Sequence, residues 1–118
     1  MEIWNIKFKA KKTLDGKWIK GDLVHHKDSD NVWITDYENQ LTSPVDPSTV
    51  CMFTGLKDKN GTPIYEGDIV IYKDNNAERR GTINWDSKTA AFCFGCDFLC
   101  NFPSENMVVI GNKFDKKK

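Results

Sequence analysis

Apolar and polar residues take turns along the opening segment, where Trp4, Ile6, Phe8 and Ala10 interleave with Asn5, Lys7, Lys9 and Lys11. Successive side chains of an extended chain point to opposite faces, so this period of two predicts a half-buried strand. Asp15-Gly16 follows, and glycine accepts the positive φ of a tight hairpin turn, which predicts a hairpin with a second strand over residues 18–25. Polar residues 27–31 make the next turn. Val32-Trp33-Ile34-Thr35-Asp36-Tyr37, rich in β-branched and aromatic types, predicts a third strand, and the first third of the chain reads as a β-meander. Residues 38–49 are polar and contain Pro44 and Pro47, which lack amide donors; this stretch is expected to escape regular pairing and to mark a boundary.

Beyond it, Val50-Cys51-Met52-Phe53 is a short apolar run, Asn60-Gly61 supplies another tight turn, and residues 64–72 bend into a strongly β-prone run. Four further strands are predicted over residues 81–85, 89–94, 97–102 and 107–110. Short strands at such spacing predict a small barrel or sandwich rather than a βαβ sheet. No segment longer than two helical turns carries a 3.6-residue period, and residues 75–80, short and polar, read as a loop or single turn.

A length of 118 residues suffices for a hydrophobic core without disulfides or metal. Hydrophobic residues at 39% and charged residues at 29% exclude both a disordered tail and a membrane protein, and no apolar run approaches the roughly 20 residues of a membrane helix. Met1-Glu2-Ile3-Trp4 lacks the basic start of a secretory signal, so a cytoplasmic location is expected. Seventeen Lys and Arg balance seventeen Asp and Glu, so no global field steers the chain toward nucleic acid or an acidic membrane. The local exception is the tail 113–118, with Lys113, Lys116, Lys117 and Lys118 interrupted by Asp115; it reads as a solvated terminus, with a polyanion contact as the alternative.

The spacing Cys93-x-x-Cys96-x-x-x-Cys100 is close enough for zinc, with Cys51 or a histidine as the fourth ligand. Phe92, Phe94, Phe98 and Phe102 interleave with these cysteines, however, so the thiols read as free, small apolar fillers on strands, and no cofactor is expected. Cys93-Phe94-Gly95-Cys96 also lacks the strand-to-helix setting that activates a redox thiol. Adjacent His25 and His26 point to opposite faces of a strand and do not chelate one ion together. Glu66, Asp68 and Asp86 are candidates for an acid/base pair, but Glu66 and Asp68 read better as turn stabilisers. Tyr72, Arg79, Arg80 and Trp85 form the candidate binding surface, since aromatic rings beside guanidinium groups suit single-stranded nucleic acid or a peptide; the competing reading puts Trp85 in the core and the arginines in a solvated loop.

The segment from Met52-Phe53-Thr54-Gly55-Leu56-Lys57-Asp58-Lys59-Asn60-Gly61 through Thr62-Pro63-Ile64-Tyr65-Glu66-Gly67-Asp68-Ile69-Val70 resembles the signature of the YopX family of phage and prophage proteins, a TGL-D-NG string followed by IYEGDIV. Ile6-Lys7-Phe8-Lys9-Ala10 is similar to that family's opening, and Met107-Val108-Val109-Ile110-Gly111-Asn112 to its closing VIGN. Lys11 departs from a usual tryptophan, whose packing role then falls to Trp4 or Trp18. The resemblance implies an SH3-like barrel in the second half, placed over 50–112 behind the meander that the pattern gives over 1–49, together with self-association and a phage or prophage origin in a bacterial host; it implies no reaction and no cofactor. In physical terms Gly55, Gly61 and Gly67 mark chain reversals, Asn60 and Asp68 can bond neighbouring amides, and Tyr65 and Glu66 complete a string that is a folding device first. The expectation is an all-β, non-enzymatic accessory protein acting through protein contacts or self-assembly, with a phage or host protein as a further partner and no membrane. The alternatives are a nucleic-acid module using Arg79, Arg80, Trp85 and the terminal lysines, and a zinc protein using Cys93, Cys96 and Cys100.

Overall fold

A computed structural model of the chain describes residues 2–75 and 77–115. Among these residues every regular element longer than a single 3-10 turn is a strand, and the strands pair antiparallel. The chain divides into two compact units, Met1–Phe53 and Thr54–Lys118. The division falls inside a strand, whereas the sequence pattern placed its boundary at 38–49.

In the first unit β1 (Phe8–Lys11), β2 (Trp18–His25), β3 (Val32–Asp36) and β4 (Leu41–Val45) follow one another as a meander, and β5 (Cys51–Lys57) returns beside β1. The Asp15-Gly16 turn is as the sequence predicts: the Asp15 carboxylate accepts the Lys17 amide at 2.9 Å, and Gly16 has φ +73°. Alternation delivers the core. Ala10 stands opposite Ile19 and Leu23 opposite Ile34, and Ala10, Ile19, Ile34 and Val45 are buried together.

Two expectations are corrected here. The alternating opening does not form one strand from Trp4: Ile3–Asn5 is a 3-10 turn, the strand begins at Phe8, and Trp4 is 71% exposed. Its amides at Asn5 and Ile6 bond back to Glu2 and Ile3 within the turn, so the period of two describes only the last part of the run. Nor does the proline-containing segment escape pairing, because β4 carries Pro44 opposite Trp33. A strand residue sends its N and C=O toward the same side, and the Pro44 carbonyl accepts the Thr13 amide at 3.1 Å, on the side away from β3. The missing proline N–H is therefore one that the β3 ladder does not need.

The second unit continues β5 into a pairing with β6 (Pro63–Tyr65). Its five-stranded sheet has the order β10-β9-β8-β7-β11, built from β7 (Asp68–Lys73), β8 (Glu78–Asp86), β9 (Ala91–Phe94), β10 (Asp97–Phe98) and β11 (Met107–Asn112). Ile64, Val70, Ile83, Phe94, Leu99 and Met107 form its core. The short segment read as a loop at 75–80 is shorter still, since Glu78 to Arg80 already belong to β8. The strand predicted over 97–102 stops at Phe98 and passes into the 3-10 turn Leu99–Asn101. The hydrogen-bonded order has two ends, β10 and β11, so the pairing is that of an open sheet and no closed barrel is found among the described residues. No helix among the described residues is long and apolar enough to cross a membrane.

Candidate functional site

Two places gather the residues singled out by the sequence, and both lie in the second unit. The first is the signature string itself. The turn from Asp58 to Thr62 closes on a carboxylate: Asp58 is 6% exposed, its Oδ1 accepts the amides of Asn60 (2.8 Å) and Thr62 (2.9 Å), and its Oδ2 accepts the amide of Val109 in β11 (2.9 Å). Lys59 N–H also donates to the Met107 carbonyl at 2.9 Å, so the turn is fastened to β11. Three residues beyond the turn, at Tyr65, begins a second knot. Asp68 is 1% exposed, accepts the Tyr65 amide at 2.8 Å, and accepts the Asn112 side-chain amide at 2.9 Å. Gly67, at φ +85°, donates to the Ile83 carbonyl at 2.7 Å and accepts from Lys113 N–H at 2.9 Å. A Cβ disfavours that φ, and so glycine stands where β6 turns into β7.

Both carboxylates are thus committed to backbone and amide donors. Burial pushes the Asp58 carboxyl up, but the amides of Val109, Thr62 and Asn60 outweigh it and hold the carboxyl below its ordinary 3.8. Burial likewise pushes the Tyr65 phenol up to about 12, with the Asp68 charge adding to the rise. A carboxyl whose pKa falls on folding contributes stability that is complete above its unfolded value and is lost as the pH falls through the folded one. The stability difference between the protein and its Asp58→Asn variant is therefore expected to shrink as the pH drops below about 3.8, read from melting temperatures in a pH series.

The second place is the candidate binding surface. The structure brings Tyr72 and Arg79 together: they are register partners across β7 and β8 and share a face. The Arg79 guanidinium pairs with Asp97 at 2.6 Å, donates to the Phe94 carbonyl at 3.2 Å, and lies 5.0 Å and 5.1 Å from the ring centroids of Phe94 and Phe102. Tyr72 meets the Phe102 ring edge to face at 5.2 Å. The Arg79 guanidinium thus lies over the Phe94 and Phe102 rings and carries an ion pair with Asp97, with 38% of the side chain left exposed. Arg80 follows it on the strand, points to the opposite face and is exposed. Trp85 lies six residues along, about 20 Å away at strand rise, 43% exposed and packed edge to face on Phe92 at 5.1 Å. Lys113 bonds within the second unit; Lys116, Lys117 and Lys118 lie outside the described residues.

Cys93 is buried and Cys96 and Cys100 are exposed, all as free thiols, while Cys51 is buried in the first unit. Burial pushes the Cys93 thiol up, and the charges of Asp86 and Asp97 push it further, which disfavours the thiolate that a nucleophile or metal ligand requires. Among the described residues no three His, Cys, Asp or Glu side chains converge in a way that could hold a metal ion. Asp86 stands at the far end of β8, accepting the Lys88 amide at 3.1 Å and the Thr89 hydroxyl at 3.0 Å, while Glu66 sits in the turn before β7. His26 meets Trp33 edge to face at 5.6 Å. Of the two tryptophans expected to stand in for the one absent at Lys11, Trp18 is directly across from Lys11, with the Lys11 ammonium 5.4 Å from its ring; Trp4 is in the exposed turn.

Several partners escaped the sequence reading. Asp58 precedes Asn60-Gly61 by two residues, the spacing at which an aspartate side chain caps a turn, and that signal was available. Asn112 and Asp97 carry no such local mark, because their partners Asp68 and Arg79 are distant in sequence.

No curated protein matches the chain. The family model described as YopX protein matches residues 7–117, from the residue before β1 to beyond the last described turn. The signature string that forms the two carboxylate knots lies inside that match, and the chain belongs to the YopX family.

Proposed function

We propose that this chain is a non-enzymatic accessory protein of phage or prophage, working in the bacterial cytoplasm through protein contacts, with its own copies as the first partner. One observation carries the reading: Ile3 is 74% exposed, Trp4 71% and Ile6 48%, three large apolar side chains within four positions. Covering each contributes about 1.5–3 kcal/mol, and a two-fold contact uses the same cluster twice. The committed state of Asp58, Asp68 and Arg79 supports the same reading, since it leaves these groups to the fold.

An SH3-like second unit is part of this proposal. Its support is the order β10-β9-β8-β7-β11, in which the last strand returns beside the first, together with the 3-10 turn Ser104–Asn106 directly before β11. Small barrels of this type bind through loops and open edges, an argument from fold alone.

Light scattering across a concentration series tests the assembly. The protein is expected to be larger than one chain, and an Ile3→Ser, Trp4→Ser variant is expected to shift to the monomer, still folded by circular dichroism and with a melting temperature that no longer rises with concentration. A protein that stays monomeric throughout sinks the reading. A nucleic-acid module would instead show oligonucleotide binding that weakens steeply as salt rises.

A further inference from the structure

The outward face of the second unit's sheet holds an open groove of about 170 Å³, lined by Lys59, Ile71, Lys73, Glu105, Asn106 and Val108. Its floor is aliphatic. Val108 and Ile71 are register partners across β11 and β7, and Arg80 stands on the other side of Ile71 across β7 and β8, so all three share one face. The rim is charged: Lys59, Lys73 and Glu105 line it and are exposed, and Arg80, also exposed, stands outside the lining as the register neighbour of Ile71. Lys73 is answered by Glu78 at 3.9 Å. Among the described residues Lys59, Arg80 and Glu105 have no ion-pair partner, which leaves two cations and one carboxylate around an apolar floor.

We propose that this groove receives an extended acidic segment of a partner protein, with one large apolar side chain seated on Ile71 and Val108 and carboxylates set against Lys59 and Arg80. The inference rests on the protein-contact reading above and names the chemistry of a second partner. Charge complementarity selects the occupant: the uncompensated cations draw carboxylates, and the groove has room for a single anchoring side chain. Nucleic acid fits less well, because bases stack on aromatic rings and this floor has none. Glu105 makes the site directional, disfavouring a carboxylate at its own end.

Selection from a displayed library of random peptides on the immobilised full-length chain tests the proposal. The expected binders carry Asp or Glu beside a large apolar residue, and their affinity falls as salt rises. Arg80→Glu is expected to weaken them about tenfold, Ile71→Asp to abolish binding, and Glu105→Gln to strengthen them about threefold. Arg80 and Glu105 are exposed, so those two variants fold even where Ile71→Asp does not; circular dichroism checks each. Selection of no peptide, of peptides without carboxylates, or of peptides that bind Arg80→Glu undiminished would overturn the proposal. A chain that self-associates through Ile3 and Trp4 yet selects no acidic peptide leaves the assembly reading standing and removes this one. Acidic peptides selected by a strictly monomeric chain give the reverse.

Discussion

Gly21→Ala is expected to unfold the first unit. Gly21 lies in β2 at φ +154°, and a Cβ built there would meet the Thr35 carbonyl oxygen at 1.9 Å and its carbon at 2.7 Å. No rotamer relieves that contact, because the obstacle is the backbone of β3 and the added atom is fixed to the backbone of β2. The strands must part by more than an ångström, and the ladder that pairs Asp22 with Thr35 and Leu23 with Ile34 goes with them. Loss of that register uncovers Ile34 and Ile19, so the cost is expected to exceed about 3 kcal/mol, a large share of the stability of a small domain. Gly55→Ala is the control. It has φ +87° but open space around the new Cβ, so it carries only the conformational cost of about 1–2 kcal/mol. Thermal melts should show a deep loss for the first variant and a shallow one for the second; equal melting temperatures would contradict the close approach.

The second large effect is expected at Asp68. Alanine there leaves the Tyr65 amide and the Asn112 side-chain amide without their carboxylate acceptor in a site that water does not reach. Each stranded donor costs about 1–3 kcal/mol, so the variant is expected to lose about 3 kcal/mol or more, which for a unit of this size lowers the melting temperature by more than about 12 °C. Asp68→Asn restores an acceptor for the Tyr65 amide but turns its own N–H₂ toward that of Asn112. Partial rescue is the expected result. If Asp68→Ala melts with the parent protein, the carboxylate does not hold β6, β7 and β11 together.

The fold was legible where a short-range rule governs. Trp18 to His25 could be read as a strand because Asp15-Gly16 fixes the turn before it, and the signature string because its glycines take the conformations their positions demand. Alternation misled at Trp4 because a pattern of apolar residues carries no information about whether another strand lies alongside; Phe8 has Gly21 and Met52 as neighbours. Pro44 misled for the opposite reason. Its cost depends on which side of the strand its nitrogen faces, and only the pairing with β3 decides that.

The candidate surface was less legible still. Tyr72, Arg79, Arg80 and Trp85 gather plausibly along the sequence, but strand parity sends Arg80 to the opposite face from Arg79, and strand rise carries Trp85 away from Tyr72. What Arg79 does instead is set by Asp97 and Phe102, both on the far side of the β8–β9 hairpin. The groove around Ile71 and Val108 is likewise assembled by β7 and β11, which are far apart in sequence, and no local pattern announces it.

Amide hydrogen exchange on the intact protein tests most directly whether the signature string belongs to the framework of the second unit. The amides of Tyr65, Gly67 and Val109, bound to Asp68, Ile83 and Asp58, are expected to exchange together and only through global opening of that unit, long after Leu14 in its exposed turn. Exchange of these three at the rate of Leu14 would show a string loose enough to move for some other purpose, and would contradict the account.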